Sequence, residues 1–199
     1  MVSHDVKRPL FSVCRLVLLV TLNVSGAFAG DGNSTDLTIT AQIRDNTCTI
    51  SLDNEGYMRL PVIHRAALVD GDGNPRVSPT DNTGGEAFHI TVTDCMENAG
   101  GAAATGLHFA FSPYALPVQN QVFLNEIPPA DGGAQGVGIV IFSREHGTNV
   151  LNADGSSDVV FPADGNLLKD YPFTVRYQGT GPATSGLVTS RVRVDVTYD

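Results

Sequence analysis

The 199-residue chain is predicted to fold as an all-β sandwich, and three observations point there. Apolar and polar residues alternate with a period of two along many short segments. No long stretch carries a helical period. Turns rich in Gly, Asn, Asp and Pro separate the segments at roughly even spacing. The chain has no tryptophan, so the antibody-type core of Cys, Trp and Cys is excluded and an Ig-like arrangement is expected only in a variant form.

In chain order, residues 1–29 read as a signal peptide. Lys7, Arg8 and Arg15 supply positive charge, Leu16 to Val24 form a short apolar core, and Ala27-Phe28-Ala29 offers the small-x-small pattern of a cleavage site. The apolar stretch is too short to cross about 30 Å of hydrocarbon, so the mature chain is expected to start near Gly30 as a soluble protein. Its 170 residues suit one domain with a full core.

Leu37 to Ile43 alternates, and after Arg44-Asp45-Asn46 the set Cys48, Ile50 and Leu52 continues on one face. Phe88, Ile90 and Val92 alternate up to Cys95, and Leu107, Phe109 and Phe111 up to Pro113. Val137 to Phe142 is continuously apolar, which suits a strand covered on both faces. Tyr171, Phe173, Val175 and Tyr177 alternate, as do Val192, Val194, Val196 and Tyr198. Turns are expected at Asp70–Pro75, Asn82–Gly85, Ala99–Gly101, Asp131–Gly133, Asn152–Gly155 and Gly179–Pro182.

Charge and motifs narrow the function. Without the leader, 9 basic and 20 acidic residues remain, a net charge of −11, and Lys169 is the only lysine. No basic run could neutralise phosphates, so nucleic acid is not an expected partner. Asp70-Gly-Asp-Gly-Asn74 imitates the start of an EF-hand. Pro75 stands where that loop needs glycine and Asp81 where it needs glutamate, so it reads as a surface turn. The glycines of 132–138 lead into a strand and form no phosphate loop. The histidines show no spacing that converges on a metal or a serine. No catalytic constellation, cofactor, metal or small-molecule substrate is therefore expected, and the chain reads as structural and not as an enzyme.

Cys14 leaves with the signal, so Cys48 and Cys95 remain. In an exported chain the pair is read as a disulfide, ahead of a metal pair or a reactive thiol; no Cys-x-x-Cys exists and no histidine lies close to either. Closing that loop would stabilise by about 4 kcal/mol in the chain-entropy account.

The two ends are the most specific part. From Gly186 to Asp199 one face carries Val192, Val194, Val196 and Tyr198, while the other carries Arg191, Arg193 and Asp195. Gly186 is fourteenth from the end and Tyr198 penultimate. In these features the chain resembles the pilin subunits of chaperone–usher fimbriae. The resemblance implies an incomplete Ig-like sandwich that lacks its last strand, closed by one disulfide. It also implies that Gly186, Val192, Val194, Val196 and Tyr198 pair with a periplasmic pilus chaperone during export. At the other end Thr35, Leu37, Ile39, Ala41 and Ile43 share one face of a segment that lies outside the disulfide loop, with little to tie it to its own domain. The residues alone also allow an ordinary first strand; the resemblance makes the segment the donor strand for a neighbouring subunit. The stretch from Asp36 to Cys48 is similar to that of minor tip subunits of type 1 fimbriae, although Ala41 stands where such strands usually carry glycine.

The expected layout is a signal peptide over 1–29, a donor-strand extension over 30–46 and a pilin domain over 47–199. The implied partners are the chaperone, an outer-membrane usher and neighbouring pilin subunits. The implied role is that of a minor or adaptor subunit in a cell-surface fimbrium that supports adhesion. The alternative is a receptor-binding fimbrial adhesin, although such adhesins usually have an extra N-terminal domain and no donor extension. A first expected outcome concerns the cysteines: Cys48→Ser should sharply lower the periplasmic yield, and two free thiols in correctly exported protein would contradict the disulfide.

Overall fold

The structure is a computed structural model that describes residues 35–43, 48–95, 105–163 and 166–198, with the backbone alone at 35, 36, 41–43, 48 and 95. The expected signal peptide and the turn at Ala99–Gly101 lie outside the described residues.

Twelve strands are described: β1 (Thr35–Ile43), β2 (Cys48–Leu52), β3 (Tyr57–Leu60), β4 (Glu86–Cys95), β5 (Gly106–Pro113), β6 (Val118–Gln119), β7 (Val122–Leu124), β8 (Val137–Ser143), β9 (Thr148–Asn149), β10 (Val159–Pro162), β11 (Asp170–Gly179) and β12 (Thr189–Tyr198). One sheet runs β10-β5-β12-β1-β3. The other runs β2-β4-β11-β8-β7-β6, with β9 alongside β8. The all-β sandwich expected from the alternation is what forms.

The inward sets are the predicted ones. Phe88, Ile90 and Val92, then Leu107, Phe109 and Phe111, then Tyr171, Phe173, Val175 and Tyr177 are all buried in a single core. Its centre is aromatic: Phe109 lies 4.9 Å from Tyr171 and 5.2 Å from Phe161 between ring centroids, and Phe161 lies 4.7 Å from Tyr171 in an edge-on packing. Such pairs add about 0.5–1.5 kcal/mol each beyond area burial. The turns form as expected at Asp70, where Oδ1 accepts the amides of Asp72 and Asn74 at 2.9 Å, and at Asn82 and Asn152. The Asp70 carboxylate is thus engaged by its own turn.

β8 is buried along its whole length, as its unbroken apolar run predicts. Its outer face is covered by the loop between β3 and β4. Arg176 holds that loop down. Only 1% exposed, its guanidinium sits 4.9 Å over the Phe142 ring, and Nη2 donates to the Ser78 carbonyl at 3.1 Å. Nη1 donates to the Tyr177 carbonyl at 3.1 Å and to Gln178 Oε1 at 3.3 Å. Burial lowers the Arg176 pKa, and the charge of Asp81 opposes that shift. Asp81 itself accepts from Arg76 Nη1 at 2.6 Å and from the Thr83 amide at 2.9 Å. The Arg76 hydrogen bond, ahead of the Thr83 amide, holds its carboxyl far below the usual aspartate range.

A carboxylate whose folded pKa is depressed stabilises the fold fully above its unfolded pKa and loses that contribution as pH falls below it. Asp81→Asn should therefore cost about 1–3 kcal/mol at neutral pH. It should also flatten the decline in stability below about pH 4. Urea unfolding across pH 2–7 measures both effects, and an unchanged acid limb would show that Asp81 does not hold the loop.

Candidate functional site

The candidate site is the seat of the first strand on the last. β12 enters its sheet through a tightly held corner. The amide of Leu187 donates to the Gly132 carbonyl at 3.0 Å, and the amide of Ala134 to the Leu187 carbonyl at 2.9 Å. Asn125 completes the corner: its Nδ2 donates to the carbonyls of Ala134 and Leu187, and its Oδ1 accepts from the Thr189 amide, each at 2.9 Å. At Gly186 a side chain has no room, because a Cβ would come within 2.5 Å of the Ala134 nitrogen and 2.6 Å of the Gly132 oxygen, both backbone atoms. Its φ of 157° lies where L residues are rare.

Beyond the corner the predicted alternation holds. Val192, Val194 and Val196 are buried in the core, and Tyr198 packs against it half-buried. The opposite face is ionic. Arg191 Nε pairs with Glu126 Oε2 at 2.7 Å while its guanidinium covers the Tyr114 ring at 4.4 Å, and Arg193 Nε pairs with Asp195 Oδ2 at 3.1 Å.

One edge of β12 bonds antiparallel to β5, from Val192↔Pro113 to Tyr198↔Leu107. The other bonds to β1, from Asp36↔Thr189 to Ile43↔Val196, and this ladder is parallel. It is the one parallel pairing between the described strands. The far edge of β1 pairs antiparallel with β3, from Thr35↔Leu60 to Thr38↔Tyr57. Leu37 and Ile39 point inward at 0% and 3% exposure, whereas Thr40 is exposed, as the period of two predicts. The side chains of Thr35, Ala41 and Ile43 lie outside the described residues; their backbones face Leu60, Val194 and Val196. The segment that the resemblance makes a donor strand is thus seated in its own sheet, in the place of an ordinary first strand.

Sequence reasoning missed β3, Gly56 and the pair Asn125 and Glu126. A Cβ at Gly56 would overlap the Ile39 carbonyl oxygen, so this glycine lets the turn at Asp53–Gly56 lie against β1. In β3 a buried Met58 and Leu60 alternate with Tyr57 and Arg59, a signal present in the sequence but only four residues long. The backbone register pairs Cys48 with Cys95, whose sulfur atoms lie outside the described residues. Among the described residues no group of three or more His, Cys, Asp or Glu side chains is placed to hold a metal ion.

No protein-family model matches the chain. An uncharacterised fimbrial-like protein of Escherichia coli K12, YadK, is 32% identical over 210 residues, which cover 98% of this chain and 100% of that protein. The chain belongs to the chaperone–usher fimbrial subunit family. Among solved structures, the CupB6 tip adhesin of Pseudomonas aeruginosa aligns with this subunit at a TM-score of 0.43 and 13% identity. That alignment covers 84% of the subunit and 40% of the adhesin.

The corner of the subunit yields a direct test. Gly186→Ala forces a methyl group against two backbone segments that are fixed by hydrogen bonds on both sides. It should destabilise the subunit by about 1–3 kcal/mol in denaturant unfolding. A variant as stable as the wild type would show that the corner can open without cost.

Proposed function

We propose that the subunit polymerises by donor-strand exchange, with residues 30–46 as the donor extension and 47–199 as the pilin domain. The observation that carries this reading is the seat of β1. β1, from the extension, fills a slot between the last strand and β3, with its apolar face on the core. Donor-strand complementation of pilins is a recognised instance of strand addition at a sheet edge.

Two physical points support the exchange. Burying Leu37 and Ile39 is worth about 1.5–3 kcal/mol each before ordering costs, and a neighbour's copy of the strand could bury the same side chains. Strand direction supplies a preference. In cis, the long ladder of 36–43 with β12 is parallel and the short ladder of 35–38 with β3 is antiparallel. A strand entering the other way would make the long ladder antiparallel, the slightly more stable form per residue. The period-two face permits either direction. In this reading the self-seated strand is a closed resting form, and a neighbour's strand displaces it.

The rest of the reading follows the family. After removal of residues 1–29 the subunit crosses the periplasm held by a chaperone strand on Val192, Val194, Val196 and Tyr198. It then passes an outer-membrane usher and joins neighbouring subunits as a minor or adaptor component with a structural role. The Cys48–Cys95 disulfide fits the register, because residues directly opposed on antiparallel strands have Cα atoms about 4.5–5.5 Å apart, within disulfide reach.

The test removes residues 35–43 in cells that supply the chaperone. The truncated subunit should form a chaperone complex and fail to enter fibres. A peptide spanning Asp31 to Asn46 should raise its melting temperature, because ligands of the folded state stabilise it. The Ile39→Asp peptide should fail, since it puts a charge into the core, while Thr40→Asp on the outer face should work. Truncated protein that still polymerises, or two substituted peptides that act alike, would overturn the proposal.

A further inference from the structure

The subunit has a second concave feature on the opposite sheet, away from the β1 seat. A cavity of about 660 Å³ opens between the loop that crosses β8 and the hairpin joining β6 to β7. That volume is in the range of small-molecule sites, about 300–1,000 Å³. Its floor is Val140, Phe142 and Leu151, all buried, and its rim includes Pro75 and Val77, the latter 69% exposed.

Among the described residues no charged side chain lines this cavity, although the chain as a whole is 17% charged and carries a net charge of −9. The polar groups there are amides and hydroxyls, and several have spare capacity. The side chains of Asn120, Thr148 and Thr180 have no partner among the described residues. Gln121 spends its Nε2 on the Leu151 carbonyl, and Asn152 its Nδ2 on Ser156 Oγ, which leaves both side-chain oxygens as acceptors.

The wall that carries these groups is held in place. Asn120 and Gln121 both adopt left-handed backbone angles, with φ of 49° and 62°, in the two-residue turn between β6 and β7. Asn149 ties that turn to β9: its Nδ2 donates to the Gln121 carbonyl at 3.0 Å, and its Oδ1 accepts from the Leu151 amide at 2.9 Å. Groups fixed before binding lose little freedom when a ligand arrives.

We propose that this cavity binds a neutral saccharide. Amides and hydroxyls both donate and accept, which matches sugar hydroxyls that do the same. The apolar rim offers a surface for the C–H face of a sugar ring. A charged ligand would lose its hydration here and find no counter-charge. The site shares no residue with the β1 seat, so it does not depend on strand exchange.

The experiment screens the purified full-length subunit on an array of neutral, sialylated and sulfated glycans, then titrates a hit into isotope-labelled protein by NMR. Neutral glycans should bind, with shifts grouped at Asn120, Thr148 and Asn152. Asn120→Gly keeps the left-handed turn and removes the amide; Thr148→Val keeps the shape and removes the hydroxyl. Each should weaken binding about fivefold with an unchanged melting temperature. The proposal is overturned if no neutral glycan binds, if acidic glycans are selected, if the shifts map to the β1 seat, or if both variants bind like the wild type.

Discussion

β12 has two edges to satisfy, and the structure turns on how the second is met. Buried backbone amides and carbonyls left without partners are costly, so a strand in mid-sheet needs a ladder on both sides. β5 supplies one ladder and β1 the other. Within the sheet, β3 is joined to β12 only through β1. Leu37 and Ile39 then join Val192, Val194 and Val196 in the same core. Backbone pairing and apolar burial are thus both assigned to a segment at the margin of the domain.

The other sheet solves a different problem. β8 is apolar on both faces, and a sandwich core covers only one. The loop between β3 and β4 supplies the second cover, held by the buried guanidinium of Arg176 and stiffened by the pair of Arg76 with Asp81. One consequence is an outer polar layer whose integrity depends on charge, beside an inner core that does not. The uncharged cavity opens at the margin of that cover.

Much of this was legible from residues alone. The inward sets of β4, β5, β11 and β12 follow a period of two that is long enough to read, and the corner glycine at 186 was visible as a position. The reason for Gly186 was not, because the Gly132–Ala134 backbone that crowds it lies far away in sequence. Arg176 sits between Val175 and Tyr177 on the face that alternation assigns to water; it is buried there against Phe142 and the distant Ser78 carbonyl. β3 is too short to establish a period. The direction of β1 was unreadable in principle, since an alternating strand presents the same face whether it runs parallel or antiparallel. A seat in its own sheet and one in a neighbour's were both open readings, since each needs the same apolar face.

The lateral edges of the two sheets share a property. β3 is followed by Pro61, β10 ends on Pro162 and β6 is preceded by Pro117, and none of the three exceeds four residues. Of the other edges, β9 has two residues and β2 carries a register shift between Thr49 and Ile50. Short strands, bulges and prolines, which lack an amide proton, are poor templates for open-ended sheet growth. The ten-residue strands β4, β11 and β12 all lie inside their sheets. Crowded together at high local concentration, copies of this domain are therefore guarded against fusing sideways into amyloid-like aggregates.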